Sequence, residues 1–323
     1  MKRITVLKAL TLSSVMILPL GCGVTGPDMS VDFPFYFLQD VSTATLPMHC
    51  CYLGSGDDGV AASDSVYFID YQQGYCLAKV GVQGYSVEDV AATAEGGYAM
   101  ALCGNLLFYI SDGTYVVHDP VPLGSYGRFL LTDPVGGSWH VYSVGADGTI
   151  TTINTQSWDV VAVDDPPDLE DPVAAAISAG GTAIFVADGS DDTIRKISTG
   201  DLGTVVAECH VPGGVADMYA GAGNLVYAAA DSLSEIWAVD TGSCQPYETY
   251  DISSPALAVA VTPDGGYIYI AHQSGGLTVI SAENGEVEAS SSSYGTVYDM
   301  AVNGSGSRTL ICSNLGKIIT LEK

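Results

Sequence analysis

Thr262-Pro263-Asp264-Gly265-Gly266, followed by Tyr267-Ile268-Tyr269-Ile270-Ala271, is the stretch on which the reading of the fold turns. A Gly-containing turn hands over to a short strand that is apolar on both faces, the pattern of a strand sandwiched between neighbouring sheets. Variants of the turn recur at Ala94-Glu95-Gly96-Gly97, Asp133-Pro134-Val135-Gly136-Gly137 and Ala179-Gly180-Gly181. The strands that follow them begin at Tyr98, Trp139 and Ala183, and Leu225 opens another of the same kind. Working outward, the first strands of successive units fall near Leu46, Val87, Arg128, Pro172, Val215, Ala256 and Val297, a spacing of 41 to 44 residues. A period of that length built from small β-sheet units is the signature of radially repeated sheets. Charged residues make up only 15% of the chain and helical patterning is almost absent. The expectation is an all-β, seven-bladed β-propeller.

The seventh unit is short. It starts at Val297 and stops at Lys323 after its third strand, near 317–321. A three-stranded edge would be open to pairing with another chain. Residues 31–38 are strand-like and have no other role, so they are expected to supply the outer strand of the last blade and close the ring. Residues 33–323 then form one propeller domain, with no linker or composition break inside it.

The first 21 residues read as an export signal. Met1-Lys2-Arg3 is basic, and Ala9 to Leu20 is an apolar run too short to span a bilayer. Leu18-Pro19-Leu20-Gly21-Cys22 resembles a bacterial lipoprotein lipobox, with Pro19 where that family carries Leu. The resemblance implies lipidation at Cys22, a tether over 22–32 and a membrane-anchored location in the cell envelope; ordinary signal cleavage is the competing reading. Removing residues 1–21 takes away Lys2, Arg3 and Lys8 and no acid, leaving 7 basic against 37 acidic residues, a net charge of −30. That charge argues against nucleic acid or an anionic membrane surface as partner.

Phe185-Val186-Ala187-Asp188, Tyr269-Ile270-Ala271-His272 and Leu310-Ile311-Cys312-Ser313-Asn314 resemble the Tyr-Val-Thr-Asn signature of YVTN-type propeller repeats. The strands 193–197, 236–240 and 277–280 fit the same pattern, as do the turns Ser198-Thr199-Gly200 and Asp240-Thr241-Gly242. The resemblance covers blades four to seven well and blades one to three loosely. It implies the architecture and leaves the activity open, since such propellers include surface proteins, lactonase-like enzymes and binding scaffolds.

Aligning the innermost strands places Asp89, Asp217 and Asp299 at one equivalent position in blades two, five and seven, with Phe129, Ala174 and Ala258 in blades three, four and six. Round a seven-fold ring the acids are separated by three, two and two blades. Innermost strands line the central channel, so three carboxylates could converge at one mouth and hold a hard cation such as Ca²⁺. In the alternative each Asp accepts backbone N–H bonds where the chain enters its strand, with Arg128 available to neutralise Asp89.

Other candidates carry less chemistry. Asp188-Gly189-Ser190-Asp191-Asp192 partly echoes a Ca²⁺ loop but lacks the distal Glu, and reads as a solvated turn. Residues 164–171 form an exposed acidic connection. His49, His118, His140, His210 and His272 fall in different blades and read as structural. Apart from Cys22, seven cysteines remain: Cys50 and Cys51 should point to opposite strand faces, Cys209 and Cys244 are candidates for a bridge, and Cys103 and Cys312 read as apolar fillers.

No nucleophile elbow, phosphate loop or paired-carboxylate motif emerges. The first functional expectation is therefore a non-enzymatic envelope scaffold that docks a protein partner through aromatic rim residues such as Tyr126, Tyr247 and Tyr294. The alternative is a propeller hydrolase of lactonase type, cation-dependent at the channel, or a quinoprotein. Few cations remain to bind a phosphorylated sugar, and Trp139, Trp158 and Trp237 are dispersed rather than stacked round a cofactor site.

Overall fold

The computed structural model describes residues 36–53, 58–70 and 72–323. The expected signal segment 1–21, Cys22 and the tether 22–32 lie outside them. The described residues form 28 strands, β1 to β28, in seven four-stranded antiparallel sheets. Six blades are built from consecutive strands in chain order, starting at β2 (His49–Tyr52), β6 (Asp89–Ala92), β10 (Gly127–Thr132), β14 (Pro172–Ile177), β18 (Val215–Ala220) and β22 (Ala256–Val261). The seventh has the order β1-β28-β27-β26, where β26 is Val297–Val302, β27 Arg308–Ser313 and β28 Lys317–Glu322. This is a seven-bladed β-propeller.

Ring closure follows the sequence expectation, displaced along the chain. The closing strand β1 spans Tyr36–Ser42 and pairs antiparallel with β28 from Tyr36↔Glu322 to Ser42↔Lys317. The Lys317 ammonium lies 2.6 Å from the Asp40 carboxylate across that pair. The first part of the expected closing segment, 31–35, lies outside the described residues.

Each second strand, such as β15 (Ala183–Asp188), β19 (Leu225–Ala230) and β23 (Tyr267–His272), is almost wholly buried because a neighbouring sheet covers either face. The fourth strands alternate or are open, as in β21 (Gln245–Asp251). The core is thus a set of apolar layers between blades, for example Phe185, Ile194, Met218 and Val226 between blades four and five.

In four blades the turns that mark the period are built on one polar residue at the end of the inner strand. Gly265 N–H donates to Thr262 O, Gly96 to Thr93 O, Gly181 to Ser178 O and Gly306 to Asn303 O. All four glycines have φ between +66° and +74°, the left-handed conformation that a type I turn with a G1 bulge needs. Thr262, Thr93, Ser178 and Asn303 are buried, and their side chains bond back into the turn, as when Tyr267 N–H donates to Thr262 Oγ1 at 3.0 Å. Trp139, expected to open a strand, instead sits before β11 (His140–Gly145) with φ +56°.

Because strands alternate in direction, the inter-blade connections and the turns between second and third strands share one rim. The turns between first and second strands, and between third and fourth, share the other. The acidic residues of the inner strands lie at the first rim.

Candidate functional site at the central channel

The seven inner strands enclose a channel of about 830 Å³ that reaches from the inner-strand starts to the loops containing Ala94, Ala222 and Pro263. Asp89, Asp217 and Asp299 all line it, so the structure brings the three predicted site residues to one level of one cavity. His49 occupies the equivalent place in blade one. Cys50 follows it in β2 as Leu130 and Val259 follow the matching positions in blades three and six, and Cys50 N–H plays the same bonding part as theirs, donating to the Asp of the preceding blade. Repeat alignment missed His49 because the first unit is irregular. The 40-residue step from Asp89 to Phe129, applied backwards from Asp89, lands on His49.

The three aspartates share one bonding scheme. One carboxylate oxygen accepts the N–H of the next residue in its own strand: Val90 at 2.7 Å, Met218 at 2.8 Å and Met300 at 2.7 Å. The other accepts an N–H from the inner strand of the following blade. Leu130 donates to Asp89 at 2.7 Å, Val259 to Asp217 at 2.9 Å and Cys50 to Asp299 at 2.7 Å. Each Asp therefore clips two blades together, at the junctions two–three, five–six and seven–one. These N–H groups belong to inner strands that have no further strand on the channel side, and at these three junctions a side chain satisfies them.

A bulge helps to set this geometry. In blades three to seven the pairing of first and second strands skips one residue at the inner-strand start, between Gly127 and Phe129, Pro172 and Ala174, Val215 and Asp217, Ala256 and Ala258, and Val297 and Asp299. A bulge turns the following side chain relative to the sheet, and in blades five and seven that residue is the clipping Asp.

Burial dominates the electrostatics. Protein surrounds all three carboxylates, although Asp89 and Asp299 keep 15% and 26% of their side-chain surface open to the channel. Loss of hydration pushes each pKa up to about 7, against the pull of the N–H bonds. The imidazole of His49 lowers Asp299 in part, while Asp217 and Asp89 raise it. His49 Nδ1 lies 3.6 Å from Asp89 Oδ1 and 4.0 Å from Asp299 Oδ2, between the two acids. Further along the channel the Tyr219 hydroxyl is pushed up to about 12 by burial and by the nearby Asp299 and Cys50.

Several sequence expectations are corrected. Arg128 does not neutralise Asp89; its guanidinium pairs at 2.8 Å with Asp171 of the acidic connection, because the bulge turns it outward to the rim. Asp188 is buried rather than solvated. It accepts N–H bonds from Glu170 and Ser190 at 2.7 and 2.8 Å, and Arg195 lies beside it. Burial raises that carboxyl, but the bonds from Ser190, Glu170 and Asp171 carry it below its ordinary value. Of the aromatic rim residues, Tyr126 is in a rim loop and 53% exposed, whereas Tyr294 is only 5% exposed and Tyr247 lies on the outer strand β21. His272 behaves as expected of a structural histidine, buried between Thr278 Oγ1 and Ser254.

The rim around this mouth carries exposed apolar groups in consecutive blades. Leu315 lies in the second-to-third-strand turn of blade seven, Leu46 and Met48 in the connection into blade one, Tyr85 before blade two and Tyr126 before blade three. Thr43 N–H donates to Gly316 O at 2.9 Å, which ties the blade-one connection to the blade-seven turn.

Among the described residues no group of three or more His, Cys, Asp or Glu side chains has the geometry to hold a metal ion. Compared with known proteins, the chain matches no protein-family model and no curated protein. The class the structure defines is thus the seven-bladed β-propeller, with an acid-lined channel mouth framed by an apolar arc.

Proposed function

We propose that this propeller is a non-enzymatic binding scaffold of the cell envelope that docks a protein partner on the rim around the acidic mouth. The observation that carries the reading is the arc of Leu315, Leu46, Met48, Tyr85 and Tyr126, exposed on one rim over four consecutive blades. Exposed aromatic and aliphatic groups gathered on one face favour a protein surface as occupant. The strongest candidate chemistry of the channel, its three aspartates, is already engaged in holding blades together. The YVTN-like strands and the lipobox-like stretch at Cys22 support an exported, membrane-anchored repeat protein that presents its rims to a partner.

The test is capture by the tagged full-length protein from native membranes after mild crosslinking. We expect a stoichiometric protein partner that is retained by a Val116→Ser control on the opposite rim. It should be lost when Leu46, Met48 and Tyr126 are replaced by Ser. Equal capture by both variants would contradict the reading.

A second reading places a cation such as Ca²⁺ at Asp89, Asp217 and Asp299 and makes the channel a hydrolytic site. The open channel and the placement of His49 between two of the acids favour it. Against it, both oxygens of each Asp already accept N–H bonds, and an imidazole is a poor ligand for a hard cation.

A further inference from the structure

We propose that Cys50 and Cys312 form a disulfide that covalently closes the propeller ring between blade seven and blade one. The two residues belong to different blades and stand 262 positions apart, yet the fold brings their side chains together. Cys50 lies on β2 and Cys312 on β27. Cys312 Sγ lies 3.4 Å from His49 O, and Cys50 Sγ lies 3.8 Å from Leu310 O, so each thiol reaches over to the backbone of the other strand. The two side chains share one buried cluster with Ala61, Tyr67, Leu310 and Ile318.

The backbone is held in register for the pairing. Asp299 faces Cys312 across β26 and β27, and its carboxylate accepts the N–H of Cys50. The clip that joins the blades therefore sets the two cysteines side by side. Cys51, the next residue, packs instead towards blade two, so the neighbouring thiol faces away from Cys312. Cys209 and Cys244 make a comparable contact between blades four and five, but a bond there would link blades that are already consecutive in the chain. Inside blade seven β1, which runs on into blade one, meets β28 only through non-covalent pairing, so a bond from β27 to β2 would add a covalent link across that closure. A crosslink spanning nearly the whole propeller also constrains the unfolded chain most.

Burial pushes the Cys50 thiol well above its ordinary range and raises that of Cys312, so in the closed ring both are protonated and unreactive. The exchange runs when the seam opens. With a low-molecular-weight disulfide as oxidant, the Cys50 thiol gives its proton to water and the thiolate attacks one sulfur. One equivalent of small thiolate leaves, and Cys50 is held as a mixed disulfide. The deprotonated Cys312 then attacks the Cys50 sulfur and expels the second. Two electrons pass to the small disulfide, and the two released protons end on the two small thiols.

The experiment equilibrates the full-length protein with oxidised and reduced glutathione, in urea just below its own unfolding transition so that the seam opens and recloses. Free thiols are then blocked and the protein is mapped by mass spectrometry. The proposal expects a peptide pair joined through Cys50 and Cys312 and lighter by two hydrogens. It also expects a higher urea midpoint for the oxidised than the reduced protein. Loss of that difference in Cys312→Ser, alongside the mapped link in the unsubstituted chain, completes the assignment. Both cysteines recovered as blocked thiols in the most oxidising buffer would overturn it. So would a link from Cys312 to Cys51, or from Cys50 to any cysteine other than Cys312.

Discussion

At Asp217 a short carboxylate does what a strand would do elsewhere, since its two oxygens take N–H groups of β18 and β22 that have no sheet partner towards the channel. The arrangement costs hydration, and the cost has a definite pH dependence. The folded-state pKa of Asp89, Asp217 and Asp299 is raised to about 7 from an ordinary 3.8. The native state then holds more protons than the unfolded state between those values, so stability falls as pH rises through that window. A three-unit shift corresponds to at most about 4 kcal/mol for a group titrating alone. Asp64, Asp147, Asp188 and Asp264 are shifted the other way, so their contribution is present above the ordinary carboxylate pKa and lost below it. Melting temperature should therefore peak near the low end of the window and decline towards pH 7. That decline should flatten when the three channel acids are replaced by Asn, and a profile that rises from pH 5 to 7 would contradict the assignment. The acids were legible in the sequence because repeats can be aligned. Their blade-to-blade partners were not, since an N–H donor carries no side-chain signature, and His49 was hidden by an inner strand that starts three residues after the expected Leu46.

Strands and turns show the same division between what a pattern reveals and what packing decides. Gly265 sits at φ +71°, and a Cβ there would come 3.1 Å from the Cβ of Ala222 in the preceding blade. Gly265→Ala should cost about 1–2 kcal/mol for the left-handed backbone alone, seen as a fall of roughly 2–4 °C in Tm per kcal/mol. An unchanged Tm would mean that the turn is reshaped without strain. The closing strand was foreseen from an incomplete last unit and an unemployed strand-like segment. Its register was not, because one apolar run can slide along its partner until side chains such as Asp40 and Lys317 meet. Deleting residues 36–42 exposes the whole outer edge of β28 and removes the closure of blade seven. The cooperative thermal transition should be lost, and a sharp melt retained after the deletion would show that β1 is dispensable. Trp139 and Tyr294 were misjudged for a related reason: an aromatic in a turn can lie in the left-handed region or fold back under the loop, and periodicity distinguishes neither.

For the whole molecule, seven blades around one channel make a ring whose two rims differ. One carries an acid-lined mouth with an exposed apolar arc beside it, and the sequence pointed to only Tyr126 of that arc, because exposure at a rim depends on how neighbouring blades meet. The account holds that Asp89, Asp217 and Asp299 clip the ring together, leaving the rim to bind. Comparing the melting temperatures of the native chain and of the Asp89→Asn, Asp217→Asn, Asp299→Asn variant, each with added Ca²⁺ and with chelator, tests this most directly. Replacing each carboxylate puts an amide N–H against a backbone N–H, a mismatch worth about 1–3 kcal/mol per site. The account predicts a lower melting temperature for the variant at pH 5, where little charge burial is relieved and the lost bonds decide, and no response to Ca²⁺ in either protein. A melting temperature of the native chain that climbs with Ca²⁺ concentration, and a variant that has lost the climb, would contradict it and move the function into the channel.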